Sequence, residues 1–308
     1  MTLTADPLDT LLRAAVRDRV HSGAVWAIGD ASGILAEGAA GPRTGPDTEF
    51  ELAGLGRILD VWPAVGALVG EGALQLHTPL GGYLTELAGH PLAGVTAHHL
   101  LTHTAGLRGP AHDGLDRGGA GDTDGGHAGG RALLLRTVPH RPPSEAVEYS
   151  DRAAAVLGHL VEHLSGRPPA RLAAERIWQP LGMTRTRVRR PSAGAADPGV
   201  CSVINDLARF LRHLLGPDPE PFGAAWVRDS LRIRTGELAP PRGLFWHPAA
   251  GTHRRQDLWV HHGPAGSGVW ISPTQARWAV LLTGRSEGPG GREASDRVRE
   301  DFRTAAFH

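Results

Sequence analysis

Strand-like segments stand near the two ends of this 308-residue chain, and helical periodicity fills most of what lies between them. Val25 to Ile28 and Gly33 to Glu37 flank the turn residues Asp30, Ala31 and Ser32 and read as a hairpin. Leu258 to His261, Gly268 to Ser272 and Trp278 to Thr283 are apolar runs separated by Gly or Pro turns. Strands at both ends with helices between them imply that the termini share one sheet and that a helical region is inserted into it.

The helical segments follow from apolar spacing. Leu8, Leu11, Leu12, Val16 and Val20 mark a first amphipathic helix, with Asp6, Asp9 and Asp18 among them. That pattern is not a secretory signal, so a cytoplasmic location is expected. From Gly54 to Gly70 apolar residues surround the helix axis, which predicts a buried central helix with Pro63 near its first turn or at a kink. Glu148 to Gly166 predicts a helix stopped by Gly166, Pro169 to Trp178 another, Leu207 to Leu215 an amphipathic one, and Glu293 to Ala306 a polar last helix. Arg108 to Arg131 is rich in Gly, Asp and His without periodicity, so it is expected to be a long loop, either a lid or a surface insertion.

Composition narrows the partners. Lys plus Arg and Asp plus Glu each number 32, and 41% of residues are apolar, enough for an ordinary core. No net field favours nucleic acid or an anionic membrane, no stretch approaches the roughly 20 apolar residues of a spanning helix, and a small-molecule substrate or another protein is the expected partner. Cys201 is the one cysteine, which excludes an intrachain disulfide. There is no lysine, so all 32 basic residues are arginine and no side-chain amine can act as a base.

Six segments, in order, carry a family likeness. Phe50-Glu51-Leu52-Ala53-Gly54-Leu55-Gly56-Arg57 resembles F-x-x-A-S-x-x-K. Leu100 to Leu107 is close to LLTHTSGL, and Tyr149-Ser150-Asp151 to YSN. Gln179 to Thr184 resembles PLGMxxT, Ser202 with Asp206 to Phe210 resembles ST-x-x-DLARF, and His261-His262-Gly263 stands for HTG or KTG. Together they resemble the serine β-lactamases, penicillin-binding DD-peptidases and family VIII esterases, over nearly the whole chain. The resemblance implies a β-lactamase/transpeptidase-like α/β (α+β) fold. An antiparallel sheet would be built from residues 1–70 and 220–308, with a helical domain over 71–219 and a pocket between the two.

The same resemblance implies a catalytic change. Relatives use the serine as nucleophile, the lysine as its base and the tyrosine to pass protons. Here Gly54 has no side chain, Arg57 stays charged and cannot be a base, and Asp151 replaces a neutral amide by an acceptor. Ordinary β-lactamase activity should be absent. Tyr149, Asp151 and His261 remain as an acid and base set, with Arg57 expected to favour the Tyr149 phenolate and histidine to carry protons near neutrality. Gly54, Arg57, His262, Gly263 and Trp246 are the expected substrate-binding residues, Trp246 because Gly243-Leu244-Phe245-Trp246 resembles the family's GLGW strand at the pocket rim.

The expected function is non-covalent acid/base chemistry on a small molecule, a cyclisation, isomerisation, elimination or hydrolysis, in a biosynthetic setting and without cofactor. A ligand-binding pseudoenzyme is the alternative, and a hydrolase with a relocated nucleophile, at Ser150, Ser202 or Ser267, is another. His159 and His163 fit H-x-x-E-H, as His99 and His103 form a second pair. The first lies on a face the resemblance turns to solvent with no distal carboxylate, so no metal site is expected.

Overall fold

The computed structural model describes residues 6–108, 127–189, 199–216, 221, 223–250, 257–263, 266–284 and 291–307. In chain order come α1 (Asp6–Arg17), β1 (Ala24–Asp30), β2 (Gly33–Ala40), β3 (Phe50–Glu51), α2 (Val61–Gly70), α3 (Ala97–Leu101), α4 (His127–Arg136), α5 (Asp151–Ser165) and α6 (Pro169–Ala173). They are followed by β4 (Arg187–Val188), β5 (Val200–Ser202), α7 (Ile204–Leu215), α8 (Ala224–Ser230), β6 (His247–Pro248), β7 (Trp259–His262), β8 (Gly268–Ser272), β9 (Arg277–Thr283) and α9 (Gly291–Phe307).

Six strands form one antiparallel sheet in the order β2-β1-β9-β8-β7-β6, so the two ends of the chain meet along β1 and β9. Alternation across these strands explains their composition. Val25, Ala27, Val269, Ile271, Val280 and Leu282 face one core with α2, α5 and α7, while Ala24, Trp26, Ile28, Trp270, Ala279 and Leu281 face a second core with α1 and α9. Both faces are covered, hence the nearly continuous apolar runs in the sequence. Trp26 is fully buried, donates through Nε1 to Asp9 Oδ1 at 3.1 Å and packs edge-on against Phe302, which locks α1 and α9 to the same face. β3, β5 and β4 form a separate small sheet, so the inserted region carries two short strands besides its helices.

The hairpin turn falls at Ala31 and Ser32, with Asp30 Oδ1 accepting from the Ser32 amide at 2.7 Å. Gly166, at φ +69°, ends α5 in the left-handed conformation that glycine adopts at least cost. α5 itself begins at Asp151, so Glu148 and Tyr149 lie before it.

Three expectations need correction. The stretch Gly54 to Gly70 is not one helix: a 3₁₀ segment (Ala53–Ile58) is followed by α2. The break has a local cause, because Asp60 caps the restarted helix by accepting from the Val61 amide, and Pro63, which has no N–H, falls in its first turn. Contrary to the expectation that no stretch approaches a spanning length, Ala53–Gly70 is long and apolar enough to cross a membrane, but 67% of it is buried in the fold. The expected loop Arg108 to Arg131 is helical at its end, where α4 begins at His127. Residues 109–126, and with them the lid idea, lie outside the described residues.

Candidate active site

A cleft of about 1080 Å³ opens between the 3₁₀ segment, the start of α5, the segment before β6, the end of β7 and the first turns of α9. Gly54, Arg57, Tyr149, Asp151, His261, His262 and Gly263 all line it, although the first and last of them lie more than two hundred residues apart. Each is placed by its element. Ala53 takes φ +44°, an uncommon conformation for a residue with a Cβ, and turns the chain into the segment that carries Gly54 and Arg57. Arg57 Nη1 lies 3.6 Å from Asp60 Oδ2, so the carboxylate that caps α2 also holds this guanidinium. Gly263 brings β7 against the same segment: a Cβ there would stand 3.1 Å from Leu55 Cβ and 3.5 Å from the Leu52 carbonyl.

Tyr149 donates its hydroxyl to Asp151 Oδ1 at 2.7 Å. Its ring lies 4.7 Å from that of His103, which in turn stacks on Phe245. His261 has both ring nitrogens against backbone carbonyls, Nδ1 at 2.8 Å from Phe245 O and Nε2 at 3.1 Å from Gly54 O. A neutral imidazole donates to only one of them, yet either tautomer ties β7 to the two segments that frame the cleft.

The sequence model of the Beta-lactamase family matches residues 8–302. The chain belongs to that family. Among relatives, esterase EstB of Burkholderia gladioli is 35% identical over 57% of this chain and 49% of its own length. Penicillin-binding protein 4 of Amycolatopsis lactamdurans is 28% identical over 80% of this chain and 61% of its own. The matches therefore span only about half to six-tenths of those curated relatives. The crystal structure of a putative β-lactamase from Bacteroides dorei superimposes with a TM-score of 0.80 over the whole of both chains, at 21% identity, which speaks for the fold alone.

The electrostatics of this β-lactamase-family cleft differ from the sequence expectation. Tyr149 keeps 41% of its surface open, but the protein around it and then the Asp151 carboxylate hold its pKa well above the ordinary 10, outweighing Arg57 and Arg242. The phenolate is disfavoured, and Tyr149 is a neutral donor. The histidines are not proton carriers near neutrality either. Burial first, then Arg242 and neighbouring cations, pushes His247 down to about 3, while for His262, down to about 2, Arg299 is the second cause. His103 and His261 are also lowered, burial again leading. All four are neutral at pH 7.

Trp246 is not a cleft residue. It is completely buried, with ring centroids 6.0 Å from Trp62 and 6.4 Å from His261. Its neighbour Phe245 lines the cleft instead, because a left-handed backbone (φ +65°), fixed by its amide donating to Leu101 O, turns the order of the two rings around. Two of the three candidate substitute nucleophiles are engaged by other side chains and the third is buried. Ser202 shares a hydrogen bond with Thr186, Ser267 with Thr283, and the Ser150 hydroxyl is buried without a partner.

His159 is buried rather than turned to solvent, and its Nε2 lies 3.6 Å from Glu86 Oε1, a carboxylate that sequence spacing could not reveal. His163 is exposed. His99 accepts from the Thr96 amide and belongs to the cap of α3. Among the described residues no group of three or more His, Cys, Asp or Glu is placed to hold a metal.

Arg242, His247, Arg292 and Arg299 line the cleft and were invisible to motif reading. Arg242 directly precedes the Gly243 to Trp246 segment, the single hint available. The α9 residues reach the cleft only because α9 folds back across the sheet.

Proposed function

We propose that this β-lactamase-fold protein is an enzyme that acts on a small molecule without a covalent intermediate, through the Tyr149–Asp151 pair. The observation that carries the reading is the 2.7 Å bond between a phenol kept neutral and a carboxylate, beside a glycine that has no nucleophile to offer. Asp151 takes a proton from the substrate, Tyr149 supplies one to a departing or rearranging group, and transfer across their hydrogen bond resets the pair. Atoms balance for an isomerisation, an elimination or a cyclisation, and for hydrolysis if Asp151 activates water. Arg57, a fixed cation, steadies negative charge that develops in the cleft. His261 is a positioning residue in this scheme, since both its nitrogens face backbone.

The esterase and penicillin-binding relatives support small esters and amides as the first compounds to try. Incubation of the wild type and Tyr149→Phe with such a panel, read by mass spectrometry of products and of intact protein, tests the scheme. The variant should bind ligand normally and lose about 10²- to 10⁴-fold in turnover. A protein-bound acyl adduct during turnover would sink the proposal. The four neutral histidines favour a second reading, a ligand-binding pseudoenzyme, and equal absence of product from both proteins would select it.

A further inference from the structure

The arginines of the cleft are not equivalent. Arg57 is held by Asp60, Arg299 by Asp296 at 2.6 Å, and Arg292 is exposed, whereas the half-buried Arg242 makes no ion pair among the described residues; its Nε, like that of Arg299, is buried without a hydrogen-bond partner. Its backbone leaves it little freedom to turn away. The Arg242 amide donates to Thr235 Oγ1 at 3.1 Å, its carbonyl accepts from the Arg234 amide at 2.7 Å, and the next residue is walled in so closely that a Cβ on Gly243 would come within 2.1 Å of the Ser230 carbonyl. Arg242 therefore presents its guanidinium at the cleft wall, near enough to Tyr149, His103, His247, His261 and His262 for its charge to act on all five.

A partly desolvated cation with no counter-charge is a standing cost to the folded state. Proteins retain such a cost where a ligand supplies the missing charge. The neutral histidines around Arg242 can donate to an anion but cannot replace one, and the Asp151 carboxylate is engaged by Tyr149.

We propose that Arg242 is a specificity-determining residue, binding a carboxylate carried by the substrate in a two-point contact beside the Tyr149 hydroxyl. The planar guanidinium fork suits that group, and its place on a crowded wall fixes the orientation of the bound molecule. The Tyr149–Asp151 pair then acts on atoms adjacent to the anchored carboxylate. This inference rests on the cleft being the ligand site, as in the function proposed above, and not on turnover.

Calorimetric titration of the full chain with benzoate, with inorganic phosphate and with neutral benzamide tests it, alongside Arg242→Met, Arg242→Lys and Tyr149→Phe. Benzoate should bind the wild type and Tyr149→Phe alike, at least tenfold more weakly to Arg242→Met, and with intermediate strength to Arg242→Lys, which keeps the charge and loses the fork. Benzamide should not bind measurably. Binding should also raise the ring pKa values of His247 and His262, read by NMR. Arg242→Met should melt at the wild-type temperature or above, because it removes an unpaired charge. Equal benzoate affinity in the wild type and Arg242→Met, or no binding of benzoate at millimolar concentration, overturns the proposal. Phosphate bound in preference to benzoate overturns the carboxylate assignment in favour of a tetrahedral oxyanion. A melting temperature several degrees lower for Arg242→Met assigns the residue to the scaffold. Benzoate binding that depends on Arg242, together with turnover unchanged in Tyr149→Phe or absent from the wild type, would instead count against the acid/base scheme alone.

Discussion

The two walls of the cleft use similar residue types to opposite ends. On the helical wall Asp151 is exposed, Tyr149 is two-fifths open, and Arg57 is paired with the helix-capping Asp60. On the sheet wall His261 is buried and, among the described residues, the buried His262 Nε2 has no hydrogen-bond partner and Arg242 no ion pair. The difference teaches that polar groups in one cavity divide by their partners: those on the helical wall meet one another, as in the Tyr149–Asp151 and Arg57–Asp60 pairs, and those on the sheet wall lose solvent without gaining an opposite charge among the described residues.

Acid should break this contrast most strongly. His247 and His262 hold pKa values of about 3 and about 2 against 6.5 in the unfolded chain, so between those values the unfolded state binds protons that the folded state refuses. Stability is then full above pH 6.5 and lost as pH falls, each ring contributing up to about 1.4 kcal/mol per pH unit. Urea unfolding between pH 7 and pH 4.5, read by circular dichroism, should show that slope, and His247→Asn with His262→Gln should flatten it. His21 and His98, both at about 4, and the also lowered His103 and His261 leave a residual slope in the double variant. An unchanged profile in that variant would mean that His247 and His262 are not the source.

Gly243→Ala comes next. Its Cβ would meet the Ser230 and Arg232 carbonyls at 2.1 and 2.9 Å, backbone atoms that cannot swing aside, and a loss of about 1–3 kcal/mol in urea unfolding is expected. Because this glycine fixes Arg242, the variant should also weaken benzoate binding, whereas Gly45→Ala, which meets nothing within 4 Å, should do neither. The smallest effect sharpens the helical wall: Asp151→Asn removes the charge that helps to keep the Tyr149 proton in place. The phenol pKa, followed by ultraviolet difference absorption, should fall while remaining above 10, since burial is the larger cause.

Much of this was legible before folding. The apolar runs at β1, β8 and β9 and the positions of Gly166 and Pro63 report local rules that act within one turn or one strand. The six family-like segments brought Gly54, Arg57, Tyr149, Asp151, His261, His262 and Gly263 to notice together. Trp246 was misplaced because one left-handed residue, Phe245, exchanges the core-facing and cleft-facing positions, and the backbone angle that does so is set by the distant carbonyl of Leu101.

The sequence by itself determined which chemical groups this protein has: no lysine anywhere, a glycine before Leu55, an arginine at 57, and apolar patterns that admit a sheet joining the two chain ends. Only the tertiary structure decided what those groups are worth as acids, bases and charges. The physical reason is that a pKa or an unmet charge depends on solvent and on neighbours from other elements, as at Arg242, whose surroundings come from segments that no spacing along the chain connects.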